Sequence, residues 1–267
     1  MAFGLIIIGD EILSGRRADR HLARSIEQLH ARGLQPGWAE YIGDDPARIT
    51  ATLKRTMATD DIVFSFGGIG ATPDDHTRQC AAAALGVPLS LHPEARLKIR
   101  ERIADTARQA GVAPQFDAPD NLHRLKMGEF PRGAQIVPNP YNKIPGFSVL
   151  NTSGTGAHHF MPGFPVMAGP MVDWVLDTLY PHLFHRNPWE EQSVMVYGSM
   201  ESTLTPLMEE IESKFGTVKV FSLPSVGDAG MRAHIELGVK GDPQQVQAAF
   251  ARLLAGLDAL AVDYARP

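Results

Sequence analysis

The chain has 267 residues, 44% of them hydrophobic and 21% charged, a balance that builds a packed globular protein and excludes disordered or collagen-like classes. Its formal net charge of −5 removes any general attraction to nucleic acid or anionic membrane, so a bound phosphate must be held locally. The single cysteine, Cys80, has no internal disulfide partner and sits in the apolar stretch CAAAALG, as an inert core thiol would; a reducing cytoplasm is the expected compartment. The N-terminus MAFGLIIIGDE has no basic leader or small-residue cleavage site, and its apolar run is too short to cross a bilayer.

In chain order, residues 3–8 read as a strand buried on both faces. Leu22, Ile26 and Leu29 then fall at helical spacing, with Asp19 as N-cap and Gly33 as terminator. A strand at 38–42 leads to GDDP, where Asp45 caps a helix with Pro46 in its first turn and Ile49, Leu53 and Met57 as its buried stripe. A third strand at 62–66 runs into a glycine-rich loop, and a helix starts near Asp75. This alternation predicts βαβ units and a mainly parallel sheet, with ligands at the carboxyl ends of the strands. A charged helix is expected over 93–110, short strands near 134–137, 147–150 and 157–161, and a helix ending near Tyr180. Residues 181–192 read as a linker. Beyond it a βαββα order is predicted, with strands at 194–197, 218–223 and 233–239 and helices carrying Leu204, Leu207 and Ile211 and then Val246, Phe250 and Leu253. The expected domains are 1–185, a three-layer α/β/α domain, and 190–267, a small α+β domain.

The stretch FSFGGIGATPDDHTRQ, residues 64–79, poses the chemical question. Glycines let backbone N–H groups approach a phosphate closely, yet carboxylates repel one. Topology brings Gly9-Asp10-Glu11, Gly43-Asp44-Asp45 and Gly67-Gly68 with Asp74 and Asp75 to one edge of the sheet. Either the aspartates cap helices, or the acid cluster is relieved by a hard cation such as Mg²⁺, which also admits a phosphate. GGIG lacks the lysine of a P-loop, and LSGR around Ser14 lacks a nucleophile elbow. The adjacent His158 and His159 point to opposite faces of a strand, so one packed in the core is expected rather than a metal pair. Asn139, Asn142 and Lys143 in NPYNK either meet a polar ligand or form a solvated turn.

The motifs GDEILSG, GDDPARI, GGIGATPDD, NPYNKIPGF and MPGFP, in this order over roughly residues 3–180, resemble the molybdopterin-binding (MoaB/Mog-like) domain in the form found at the N-terminus of CinA proteins. The resemblance implies a three-layer α/β fold that binds the phosphate of molybdopterin or a nucleotide, with Mg²⁺. It also implies that Asp75 closes the glycine loop and that Asp44 faces it. Asp44 and Asp75 are thereby the expected catalytic and metal residues. The expected ligand contacts are Gly9, Asp10, Glu11 and Ser14, then Gly67, Gly68, Gly70 and Thr72, with Asn139 and Lys143. Two positions depart from the family pattern: Phe66 stands where a hydroxyl residue is usual, and Ala71 where proline is usual. Residues 190–260 resemble the small KH-like domain of the same proteins. No sequence is expected to remain for their amidohydrolase domain, so nicotinamide mononucleotide deamidation is not carried over. GDAG at 227–230 matches the letters of an RNA-clamping loop but carries an acid between two predicted strands, so nucleic acid is not the expected partner.

Three functions stay open on this reading. One is a Mg²⁺-dependent pyrophosphatase acting on ADP-ribose or FAD. Another is a molybdopterin-binding module without turnover, with Phe66 marking the loss of catalysis. The third is adenylylation of molybdopterin in cofactor synthesis. The expected partner is a small phosphate-bearing ligand, in a homo-oligomer away from membranes.

Overall fold

The computed structural model describes residues 1–186, 189–227 and 232–265, and its chain contacts divide into two units, Met1–Phe184 and His185–Pro267. The first unit runs β1 (Phe3–Ile8), α1 (Asp10–Leu13), α2 (His21–His30), β2 (Pro36–Ile42), α3 (Pro46–Thr56), β3 (Ile62–Phe66) and α4 (Thr77–Leu85). It continues through β4 (Leu89–Leu91), α5 (Pro93–Gln109), α6 (Pro119–Leu125), β5 (Glu129–Pro131), β6 (Gln135–Val137), β7 (Gly146–Leu150), β8 (Ala157–Met161) and α7 (Pro165–Leu179).

Its sheet has six strands in the order β2-β1-β3-β8-β7-β6. The first four are parallel, and β7 is antiparallel to both of its neighbours. Strand alternation makes the three layers. Ile6 and Ile8 of β1 join a core with Ile49 and Leu53 of α3 and Ala81 of α4. Leu5 and Ile7 join a core on the other face with Leu29 of α2 and Val172 and Leu176 of α7. Asp45 caps α3 as the sequence suggests, accepting the Arg48 N–H at 2.7 Å; the N-cap of α2 is Arg20 rather than Asp19, which stands one residue earlier and still accepts from the N–H groups of His21 and Leu22 at 2.8 and 3.1 Å. Asp74 and Asp75 do not cap α4, which begins after His76 without a side-chain cap.

His158 and His159 do face opposite sides of β8, and both are buried rather than one. The His158 ring pairs with Asn151 Oδ1 at 2.6 Å and Thr56 Oγ1 at 2.8 Å. The His159 ring pairs with Ser148 Oγ at 2.6 Å and the Tyr180 hydroxyl at 2.8 Å. Burial pushes both imidazoles down to about 3, so each is a neutral spacer satisfied at both ring nitrogens.

The second unit runs β9 (Glu190–Tyr197), α8 (Glu201–Lys214), β10 (Val218–Ser225), β11 (His234–Gly241), α9 (Pro243–Ala259) and β12 (Asp263–Ala265). Its four strands lie in the order β10-β11-β9-β12 and are antiparallel throughout. Leu204, Leu207 and Ile211 of α8 and Val246, Leu253 and Leu257 of α9 fill its core. Residues 190–192, expected in a linker, belong to β9, and β12 adds a strand to the expected order. Past Gly227, the GDAG loop lies outside the described residues. Among the described residues no helix is long and apolar enough to cross a membrane.

Candidate functional site

The parallel strands β2, β1, β3 and β8 end side by side, so the loops that follow them share one edge of the sheet. Gly9 and Asp10 follow β1, Gly43 and Asp44 follow β2, Gly67 follows β3, and Gly163 follows β8. Gly67 is squeezed between two of these ends. Its N–H donates to the Met161 carbonyl at 3.0 Å, and a Cβ there would lie 2.3 Å from the Ile8 carbonyl oxygen. With φ of 100° at Gly67 and 68° at Gly68, the chain turns sharply away from the sheet, a path that glycine takes without strain.

Side chains then occupy the space that a Cβ would need. A Cβ on Gly68 would lie 2.2 Å from Thr77 Oγ1, one on Gly70 2.5 Å from Asp75 Oδ2, and one on Gly43 2.4 Å from Asp10 Oδ1. Thr77 closes the turn from α4: its hydroxyl donates to the Gly67 carbonyl at 3.0 Å and its N–H to the Gly68 carbonyl at 2.9 Å. Asp75 Oδ2 accepts the Thr72 N–H at 2.8 Å and the Thr72 hydroxyl. Arg78, buried on α4, donates to the Gly70 carbonyl at 2.7 Å and to the carbonyls of Lys126 and Glu129. Desolvation lowers its pKa, with Glu129 and Asp75 opposing that effect.

The carbonyls of Gly67, Gly68 and Gly70 in this loop are therefore spent on holding its shape. Its N–H groups are not: among the described residues no acceptor reaches the N–H of Gly68, Ile69 or Gly70. Ile69 is buried, and the glycines flanking it are half-buried. Three successive backbone donors are thus left without a protein partner, the kind of group that an anion-binding loop offers its ligand.

At the neighbouring strand ends, Asp10 and Asp44 interlock. The Asp10 N–H donates to Asp44 Oδ2 at 2.9 Å, and the Asp44 N–H donates to Asp10 Oδ1 at 3.2 Å. Desolvation raises the Asp44 pKa, and the nearby charges of Asp10, Glu11 and Asp74 raise it further. Asp44 is thus bonded to Asp10, with Glu11 and Asp74 near enough for their charges to act on it, while Asp75 is bonded to Thr72. Among the described residues no group of three or more His, Cys, Asp or Glu side chains is disposed to hold a metal ion by itself. A Mg²⁺ held by one or two carboxylates and completed by ligand phosphate and water needs no such group. The donor set fits that mode, since no protein donor reaches Asp10 Oδ2 or Asp44 Oδ1 among the described residues.

The other expected contacts are distributed differently. Gly67 shapes the turn but has spent its own N–H, and Gly9 packs under the Glu11 carboxylate. Ser14 ends α1 on an exposed turn. Thr72 is bonded to Asp75. Asn139 is only 4% exposed and serves its own loop. Its amide donates to Asn142 Oδ1 and to the Ile144 carbonyl, both at 2.9 Å, and its Oδ1 accepts the Tyr141 N–H at 3.0 Å. Lys143 pairs with Asp105 of α5 at 2.6 Å. Asn139 is thus engaged within its own loop, while Lys143, 44% exposed, is held by an ion pair at the surface. Phe66 is 2% exposed and lies in the α2/α7 core, stacked on His21 at 4.5 Å between centroids. That packing against His21 puts the ring in the core, so it does not stand in the cradle in place of a hydroxyl.

Ile69, Thr77 and Arg78 were not anticipated from the sequence. An arginine among the small buried residues of α4 is the one signal that marks Arg78. Ile69 acts through its backbone and leaves no trace in residue type.

A family profile described as a probable molybdopterin binding domain matches residues 4–182. The chain belongs to that family. Within it the resemblance is to the CinA-like form. A CinA-like protein of Anaeromyxobacter sp. (strain K) is 34% identical over 184 residues, 68% of this chain and 41% of that protein. Another, from Gloeobacter violaceus, is 29% identical over 269 residues, 97% of this chain and 59% of that protein. The chain thus spans between 41% and 59% of the length of these two relatives. The solved structure of CinA from Thermoplasma acidophilum, described as a protein with unknown function, superimposes with a TM-score of 0.54 at 25% identity, covering 66% of this chain and 95% of that one.

Proposed function

We propose that the molybdopterin-binding-type unit, Met1–Phe184, holds the phosphate of a molybdopterin-type or nucleotide ligand on the N–H groups of Gly68, Ile69 and Gly70, and that it hydrolyses a nucleotide pyrophosphate such as ADP-ribose or FAD. The observation that carries the reading is the run of three unpartnered backbone donors on a turn fixed by Gly67, Thr77 and Arg78. Fixed donors aimed at an anion need no reorganisation when charge develops on it. Asp10 and Asp44 are the residues that would hold a Mg²⁺, which would offset the charge of the acids and the phosphate together. Binding without turnover is the second reading, and Asp75 favours it, because a carboxylate oxygen bonded to both the N–H and the hydroxyl of Thr72 is poorly placed to take a proton from water.

A thermal-shift series with ADP-ribose, FAD and a molybdopterin analogue, each with Mg²⁺ and with excess EDTA, tests both readings. A Mg²⁺-dependent shift with release of AMP supports hydrolysis, and a shift without product supports the binding module. A shift that survives EDTA removes the metal. The absence of any shift refutes the phosphate site.

A further inference from the structure

Arg17 lies just beyond α1, its N–H donating to the Glu11 carbonyl at 3.0 Å. Its guanidinium lies over the ring of Phe164, 5.7 Å from the centroid. Phe164 is 53% exposed and directly precedes α7. The residue before it, Gly163, packs on the glycine turn: a Cβ there would be 3.4 Å from the Gly67 Cα. The ring under the guanidinium thus belongs to the residue next to Gly163, which packs on the turn that opens the row of free N–H groups. Its only side-chain charge partner among the described residues is Glu11 at 3.8 Å, with both groups about half exposed, so most of its donors are available. The other titratable group its charge acts on is His21, which burial holds towards the neutral form.

We infer that Arg17 is a specificity-determining residue that selects ligands carrying a second phosphate next to the one in the glycine loop, that is, diphosphate esters over monophosphates. This rests on the loop being a phosphate site. A single phosphate on the N–H groups of Gly68 to Gly70 leaves the guanidinium unengaged across Gly163 and Phe164, whereas an adjoining phosphate presents oxygens to it. The attraction of a guanidinium to the face of an aromatic ring favours this placement of the fork, and that fork matches phosphate oxygens two at a time. The long contact to Glu11 is what such a phosphate displaces.

Calorimetric titrations of the full chain with inorganic phosphate and with inorganic pyrophosphate, at one fixed Mg²⁺ concentration, test the inference. The wild type is expected to bind pyrophosphate at least about tenfold more tightly, the effect of one bidentate charge-assisted pairing. Arg17→Ala should bring pyrophosphate to within about twofold of phosphate and leave phosphate itself within about twofold of wild type, since an exposed substitution leaves the fold intact. Arg17→Lys, which keeps the charge and loses the fork, should fall between the two. Arg100→Ala removes a similarly stacked arginine, 4.9 Å over Phe116, with the same change in net charge, and should keep the wild-type preference. If Arg17→Ala weakens both anions equally or keeps the preference, or if the wild type binds both alike, the selection role is overturned while the loop reading stands. A wild type that binds neither anion overturns the loop reading and this inference with it.

Discussion

Replacing Phe66 with threonine restores the hydroxyl that the family pattern carries before its paired glycines, and the structure assigns the change a large cost. The ring is 2% exposed, stacked on His21 at 4.5 Å, and shares a core with Ile7, Met161 and Val172. Truncating a buried phenylalanine costs about 3–5 kcal/mol in lost burial and residual cavity. A hydroxyl left without a partner in that cavity adds about 1 kcal/mol or more. A loss of about 4 kcal/mol, at about 2–4 °C per kcal/mol for a domain of this size, lowers the midpoint by roughly 8–16 °C. Trp38 and Trp174 both lie in the Met1–Phe184 unit, so tryptophan fluorescence followed through thermal and urea unfolding reports on the affected core. Affinity for a phosphate ligand, measured at a temperature where the variant is folded, should not improve. A variant that loses less than about 1 kcal/mol and binds phosphate more tightly would refute the argument, because the ring would then be crowding the cradle rather than filling the core.

Gly68→Ala should abolish detectable phosphate binding, because its Cβ would lie 2.2 Å from Thr77 Oγ1 at a φ of 68°; titration calorimetry on a variant verified as folded checks this. Asp44→Asn should raise the unfolding midpoint at pH 7 and weaken Mg²⁺-dependent binding. The raised pKa of Asp44 means that its stabilising contribution is present below the unfolded value and lost as pH rises through the folded one, so the ionised form opposes folding at neutral pH. An unchanged midpoint would contradict that sign. His158 and His159, held down to about 3 by burial, act in the opposite direction. Their contribution is present above the unfolded histidine value of about 6.5 and lost as pH falls towards 3, with a slope approaching about 2.7 kcal/mol per pH unit for two protons. Urea midpoints between pH 7 and pH 4 measure it, and a flat profile would exclude buried neutral rings. Finally, a chain ended after Phe184 should fold and keep the phosphate affinity of the full chain; a folded but non-binding product would bring the second unit into the site.

The parallel core was legible because its strands are continuous apolar runs that end in glycine and acid. Phe3–Ile8 and Ile62–Phe66 begin and end where the periodicity places them, Asp45 announces α3 by its cap, and Asp19 marks the start of α2 one residue ahead of its N-cap. The short pair β4 and β5 and the helix α6 were not legible. Three residues do not establish an alternation, and Leu89–Leu91 and Glu129–Pro131 pair across a separation in sequence that no local signal spans. At the site, residue type revealed glycines and acids but not their partners. That Asp44 meets Asp10, that Asp75 turns back on Thr72, and that Asn139 and Lys143 are consumed by their own surroundings are tertiary facts. Phe66 shows the same limit: alternation placed it on the face of Phe64, and only its contact with His21 decided between core and cradle.

The side chains that sit where glycine has no Cβ also bear on how this loop can change over time. Thr77 fills the vacancy at Gly68, Asp75 that at Gly70, and Asp10 that at Gly43, so each glycine and its occupant form one unit of inheritance. A glycine exchanged alone collides with its occupant. An occupant trimmed alone leaves a hole and frees the carbonyl or N–H that it was holding. Drift through single substitutions is therefore blocked along the whole edge, and the loop's route to a different ligand runs through positions outside these pairs, on the rim where side chains answer to no glycine.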